Sequence, residues 1–166
     1  MAILPVGIGS AEGGDFQIER SLRFNSADSA YLSRTFGTPT NNKIWTFSAW
    51  VKRSKLDAAN RSIFACYDGS SSFHASLSFN TNETLTGQYG GSSINAVTTT
   101  QVFRDPSAWY HLVWSVNATT GSSILYVNGS QSASTSIANV ASQINSAISH
   151  NLGQLYSSLY FFVKVK

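Results

Sequence analysis

The chain has 166 residues, of which 11% are charged, 42% apolar and 13% aromatic; this hydrophobicity excludes a disordered chain, and the length lets one domain bury a core without disulfide or metal staples. The net charge is +3, with basic and acidic side chains interleaved (Glu19 beside Arg20, Asp57 between Lys55 and Arg61) and no basic run longer than Lys52-Arg53, so no nucleic-acid partner is expected. Ser, Thr, Asn and Gly take the place of charge, which suits strand faces better than Glu/Lys-rich helices, and Cys66 stands alone, which excludes an intrachain disulfide.

Residues 1–16, MAILPVGIGSAEGGDF, read as an extended arm ahead of a single domain over 17–166. The arm's apolar residues Ile3, Leu4, Val6 and Ile8 suit docking, on its own domain or on a neighbour. Met1 to Ile8 lacks a basic start, and Pro5 and Gly7 break its apolar run, so no secretion signal is read there. No segment approaches the ~20 apolar residues of a membrane span. Folding in a reducing cytosol fits the lone cysteine.

From Ser21 onward the period is two. Leu22 and Phe24 alternate with polar residues. WTFSAWVK (45–52) places Trp45, Phe47, Ala49 and Val51 on one face and Thr46, Ser48, Trp50 and Lys52 on the other. FHASLSF (73–79) aligns Phe73, Ala75, Leu77 and Phe79. WYHLVWSV (109–116) is apolar on both faces, which predicts a strand in mid-sheet covered on both sides. SILYV (123–127) runs into Asn128-Gly129, a strong hairpin signal. Turn signals separate these runs at Gly37, Asp68-Gly69, Gly90-Gly91, Asp105-Pro106 and Gly121. Many short strands at such spacing predict a sandwich or barrel. Ile137, Val140, Ala141, Ile144 and Ile148 fall at helical spacing without a good cap, so a loop or one short helix is expected there.

Three elements, Thr46-Phe47-Ser48-Ala49-Trp50-Val51-Lys52, Trp109-Tyr110-His111-Leu112-Val113 and Ile124-Leu125-Tyr126-Val127-Asn128-Gly129, together resemble the concanavalin A-like and laminin-G-like jelly rolls. Ile18-Glu19-Arg20-Ser21-Leu22-Arg23-Phe24-Asn25, followed by Asp28 to Thr35, resembles laminin-G-like virion proteins of tailed phages, especially marine cyanophage-like ones. The resemblance implies an all-β, two-sheet antiparallel jelly-roll sandwich of about a dozen strands and a place on a phage particle, made in the host cytoplasm. It also implies that the first and last strands pair. Here the chain closes on Phe161-Phe162-Val163-Lys164-Val165-Lys166, read as a final strand with Phe161, Val163 and Val165 inward. Lys164 and Lys166 would then guard a sheet edge.

The eight carboxylates are Glu12, Asp15, Glu19, Asp28, Asp57, Asp68, Glu83 and Asp105, and no two lie two residues apart. Glycan-cleaving relatives of the fold use a Glu-x-Asp-x-x-Glu strand that sets acid and nucleophile on one face. This chain lacks it, so no enzyme and no catalytic residue is expected. His74, His111 and His150 have no zinc spacing, and His111 reads as a packing residue of its strand. No cofactor is called for, although some laminin-G-like domains hold calcium at the rim, for which Asp68 and then Asp57 are the candidates. Trp50 faces away from Trp45, Phe47 and Val51; it is either a sugar platform or covered by a loop or the arm. Tyr67, Tyr89 and Tyr156 lie near turn signals and are read as further ligand-contact candidates at the rim. The sequons at Asn60, Asn82, Asn117 and Asn128 would matter only in a secreted eukaryotic protein.

Size, one domain, a start at its own Met1 and the apolar arm point first to a capsid decoration or cement protein. Such a protein docks on the major capsid protein or on tail proteins, in many copies or as a homo-oligomer, without nucleic acid or membrane. The alternative is a tail-fibre or tail-tip adhesin that reads host surface glycans.

Overall fold

The computed structural model describes residues 21–53, 55–57, 59–68, 74–90, 94–154 and 163–165. Alternation of apolar and polar side chains sets most of the strands, since residues two apart share a face. In chain order they are β1 Leu22–Phe24, β2 Leu32–Thr35, β3 Ile44–Arg53, β4 Arg61–Tyr67, β5 His74–Phe79 and β6 Thr84–Gly90. There follow β7 Ile94–Val102, β8 Tyr110–Asn117, β9 Ser122–Val127, β10 Ser130–Ser136, β11 Ser149–Leu152 and β12 Val163–Val165. A single 3-10 turn at Ser26–Asp28 separates β1 from β2. The helical spacing of 137–148 forms no helix: the stretch is a loop that drops Ile137 and Ile144 into the core.

Two six-stranded antiparallel sheets form, ordered β1-β12-β3-β8-β9-β10 and β2-β11-β4-β5-β6-β7. This is the two-sheet antiparallel jelly roll of the concanavalin A-like and laminin-G-like folds. The core lies between the sheets, with Trp45, Val51, Leu112, Trp114, Val116 and Leu125 from the first meeting Ile63, Leu77, Phe79, Leu85, Tyr89 and Val97 from the second. Asn128 and Gly129 both have positive φ (51° and 82°) and join Val127 to Ser130 as the two-residue hairpin their sequence predicts.

β1 pairs with β12, Leu22 opposite Val165 and Phe24 opposite Val163, as the resemblance implies. The role given to Lys164 is corrected, however. β12 also pairs with β3, Lys164 opposite Lys52, so it lies inside the sheet and β1 forms the edge. Phe161 and Lys166 fall outside the described residues.

Candidate functional site

β3 and β8 lie side by side near the middle of their sheet, and their register sets Trp50 opposite His111. Val51 and Ala49 point inward and are buried, so Trp50 between them must point outward; it is 40% exposed. Its ring lies 5.1 Å from the His111 ring with 31° between the planes. Ser48, one outward position along β3, sits 3.0 Å from His111 Nε2 through its hydroxyl. The hairpin holds the other side: Asn128 Oδ1 accepts the His111 backbone N–H at 2.9 Å, and the His111 carbonyl accepts the Asn128 backbone N–H at 2.8 Å. With that oxygen committed, the Asn128 amide group is the donor left for a ligand. Trp50, Trp109, His111, Asn128 and Gly129 together line a shallow depression of about 550 Å³.

Charge borders this platform. Lys52 shares the outer face with Trp50, two residues on. Across the strands it is opposite Lys164, which is opposite Arg23, so three basic residues occupy one cross-strand row about 7 Å from the Trp50–His111 row. Asp105, in the loop before β8, receives hydrogen bonds from the Ser107 hydroxyl (2.6 Å) and backbone N–H (2.7 Å). These bonds, with a smaller contribution from the Lys52 charge, hold its carboxyl below the usual range.

A second concavity, about 730 Å³ and mainly apolar, opens between the sheets beside the start of β3. Leu32, Ile44, Phe47, Phe64 and Leu152 wall it, and His150 lies against it. His150 is buried, with Nδ1 donating to the Ile148 carbonyl (2.8 Å) and Nε2 accepting the Asn145 backbone N–H (3.0 Å). Burial pushes its pKa down, in keeping with a neutral ring.

The described carboxylates are engaged in structure. Burial pushes the Asp57 carboxyl up, but hydrogen bonds from Arg61 and Lys55 outweigh it and hold the group below its usual range. Glu83 pairs with the buried Arg53, and Asp28 accepts from Asn25. Among the described residues no group of three or more His, Cys, Asp or Glu is placed to hold a metal ion. The Cys66 thiol is pushed up to about 12, chiefly by burial, so it carries no nucleophile at neutral pH. No helix among the described residues is long and apolar enough to cross a membrane.

Residues 24–163 match the model of a laminin-G-like family described as the concanavalin A-like lectin/glucanases superfamily. The chain belongs to this family. No curated protein matches this laminin-G-like domain by sequence. Among solved structures it is similar to domains LG4-5 of the mouse laminin alpha1 chain (12% identity, TM-score 0.69, 89% of this chain and 40% of that one). It is similar also to a heptameric SAP-like pentraxin from Limulus polyphemus (16%, 0.60, 82% and 66%). A third similar structure is the CBM40 of the Ruminococcus gnavus IT-sialidase, solved bound to alpha2,3 sialyllactose (12%, 0.58, 82% and 91%). This laminin-G-like domain thus spans two fifths of the laminin fragment and about two thirds of the pentraxin.

The laminin-G-like framework distributes the sequence-derived candidates unevenly. Trp50 lies on the outer face of the first sheet. Tyr67 is half-buried at the end of β4 in the second sheet, away from Trp50. Tyr89 is corrected from a rim residue to a core residue: it is 1% exposed, its ring 6.2 Å from that of Trp45, and burial pushes its hydroxyl up to about 12. Asp57 is corrected as a calcium candidate, because Arg61 and Lys55 take its oxygens. Asp68 is exposed at the end of β4. Tyr156 and the arm residues Ile3, Leu4, Val6 and Ile8 lie outside the described residues. Covering of β8 on both sides is also corrected: His111 and Val113 on its outer face are only half-buried.

Trp109, Asn128 and Lys52 escaped the sequence reading as members of a site. Trp109 and His111 share the parity opposite to Leu112 and Trp114, which was a usable signal. Their meeting with Trp50 depends on the β3–β8 register, for which the sequence carries no local mark.

Proposed function

We propose that this domain is a glycan-binding module of a surface adhesin, with Trp50 as its stacking platform. The observation that carries this reading is the 40% exposure of Trp50 on an outer sheet face, beside a half-buried Trp109 and polar groups from His111 and Asn128. A flat ring flanked by a few oriented donors is what a pyranose needs, its C–H face on the indole and its hydroxyls on the rim. The similar CBM40 domain, solved with sialyllactose, supports the ligand class. Lys52, on the outer face two residues from Trp50, favours sugars that carry carboxylate or sulfate. The pairing of Asp57 and Glu83 with cations, and of Asp28 and Asp105 with neighbouring hydrogen-bond donors, supports binding without catalysis.

Residence on a phage particle, as a tail-fibre or tail-tip module, extends the proposal and rests on the resemblance of residues 18–35 alone. Capsid decoration has no further observation in its favour, so the adhesin reading is preferred.

A glycan array of neutral and acidic oligosaccharides, run with the natural chain and with Trp50→Ala, tests the reading. Saturable binding that Trp50→Ala weakens by a factor of about thirty is expected. Undiminished binding in Trp50→Ala, or no binding of the natural chain to any glycan, overturns it.

A further inference from the structure

The platform continues across its sheet. Ser48 of β3 is opposite Val113 of β8, Val113 is opposite Tyr126 of β9, and Tyr126 is opposite Gln131 of β10. These four residues form one cross-strand row, directly beside the row of Trp50, His111 and Asn128. They also face outward. Tyr126 lies between the buried Leu125 and Val127, and Val113 between the buried Leu112 and Trp114. Tyr126 and Val113 are half-buried, and Ser48 and Gln131 are exposed, so solvent reaches the whole row.

The second row repeats the chemistry of the first. Each combines an aromatic ring with a carboxamide on its β10 side: Trp50 with Asn128, and Tyr126 with Gln131. Gln131 Nε2 donates to the Ser134 hydroxyl at 3.4 Å, which leaves the Gln131 carbonyl oxygen as an acceptor for a ligand. Two strand widths and one step along the strand separate Tyr126 from Trp50, a span of about 12 Å. A single pyranose ring cannot touch both side chains, whereas a chain of several linked sugars can. Neither row contains Asp, Glu, Lys or Arg. Their polar groups are hydroxyls, carboxamides and an imidazole, which match the hydroxyls of a sugar chain and offer no ion pair to a charged protein segment. Outward side chains on adjacent strands form an open surface. Such a surface takes the interior of a chain, while recognition of a chain end calls for a pocket that closes around it.

We propose that Trp50 is one contact of an extended site whose second aromatic contact is Tyr126, and that its ligand is the interior of a linear polysaccharide and not a terminal sugar. This assignment rests on the glycan-binding reading of Trp50, to which it adds the length of the ligand and the direction in which it crosses the sheet.

Calorimetric titration of the full chain with oligosaccharide ladders tests it. The ladders run from disaccharide to hexasaccharide and come from a β-1,4-glucan, a β-1,3-glucan, alginate and chondroitin sulfate. For a ladder that binds, affinity should rise by about tenfold from the disaccharide to the hexasaccharide, as for a second aromatic anchor. Tyr126→Thr, a change that a strand tolerates, should remove that rise and leave disaccharide affinity unchanged. Tyr126→Phe should keep the rise, and Trp50→Ala should weaken binding at every length. Gln131→Ala, at an exposed position, should lower the rise without lowering the melting temperature, so the extended site is read even if Tyr126→Thr melts early. Equal affinity at all lengths, or a rise that survives in Tyr126→Thr and in Gln131→Ala, overturns the extended site and leaves the glycan reading standing. Absence of binding to every ladder overturns both.

Discussion

Gly87 in β6 and Trp114 in β8 meet across the core with no room for a methyl group: a Cβ on Gly87 would lie 2.5 Å from the Trp114 indole. The ring cannot retreat. It is fully buried, its Nε1 donates to the Ser123 hydroxyl at 3.0 Å, and the Trp45 ring abuts it edge-on at 4.6 Å. Gly87→Ala should therefore cost about 1–3 kcal/mol. Urea unfolding checks this, with a lower midpoint and an unchanged slope expected.

Arg53 is 1% exposed, pairs with Glu83, donates to the Phe103 carbonyl at 2.6 Å and lies over the Phe79 ring at 4.7 Å. Removing the carboxylate leaves a buried cation without its counter-charge. Glu83→Gln should destabilise the fold by about 3–5 kcal/mol. Adding Arg53→Met should restore much of that loss, because the cation goes too. A double-mutant cycle by chemical denaturation measures the coupling.

His150 confers a pH dependence. Its folded pKa is depressed by burial, so the unfolded chain binds the proton more readily. The stability it contributes is full above the ordinary histidine value of about 6.5 and is lost as pH falls through the lower folded value. Protonation would also set an N–H on Nε2 against the Asn145 N–H. Thermal melts between pH 7 and pH 5 should show a declining midpoint, and His150→Gln should flatten that decline.

Trp50→Ala should leave stability within about 1 kcal/mol, since the ring is exposed and fills no core space. Glycan affinity should fall by a factor of about thirty, as for a central aromatic anchor worth about 2 kcal/mol. Calorimetric titration beside a melting curve separates the two effects.

Lys52→Glu should weaken acidic glycans by about fivefold, equivalent to about 1 kcal/mol for an exposed charge pair, and leave neutral ones unchanged. The natural chain's affinity for acidic glycans should fall as salt rises, because the interaction is screened. Titrations at two ionic strengths read both.

Much of this fold was legible before any coordinates. Alternation in WTFSAWVK and WYHLVWSV set which side chains face inward, and Asn128-Gly129 marked its hairpin, because these signals are local: a period of two and a pair of positive φ values. The same locality misled at Tyr89, where nearby turn residues suggested a rim position although the parity of β6 directs the ring into the core. It also left 137–148 ambiguous, since apolar residues at helical spacing can be buried equally well by a loop pressed on a sandwich. Only the tertiary structure decided what depends on residues distant in sequence. Trp50 meets His111 across 60 intervening positions through the β3–β8 register, and β12 pairs with the end of β3 at Val51, Lys52 and Arg53. Alternation determines the face on which a side chain lies; strand pairing determines its neighbours, and it is pairing that sets an outward tryptophan beside a histidine from a distant part of the chain.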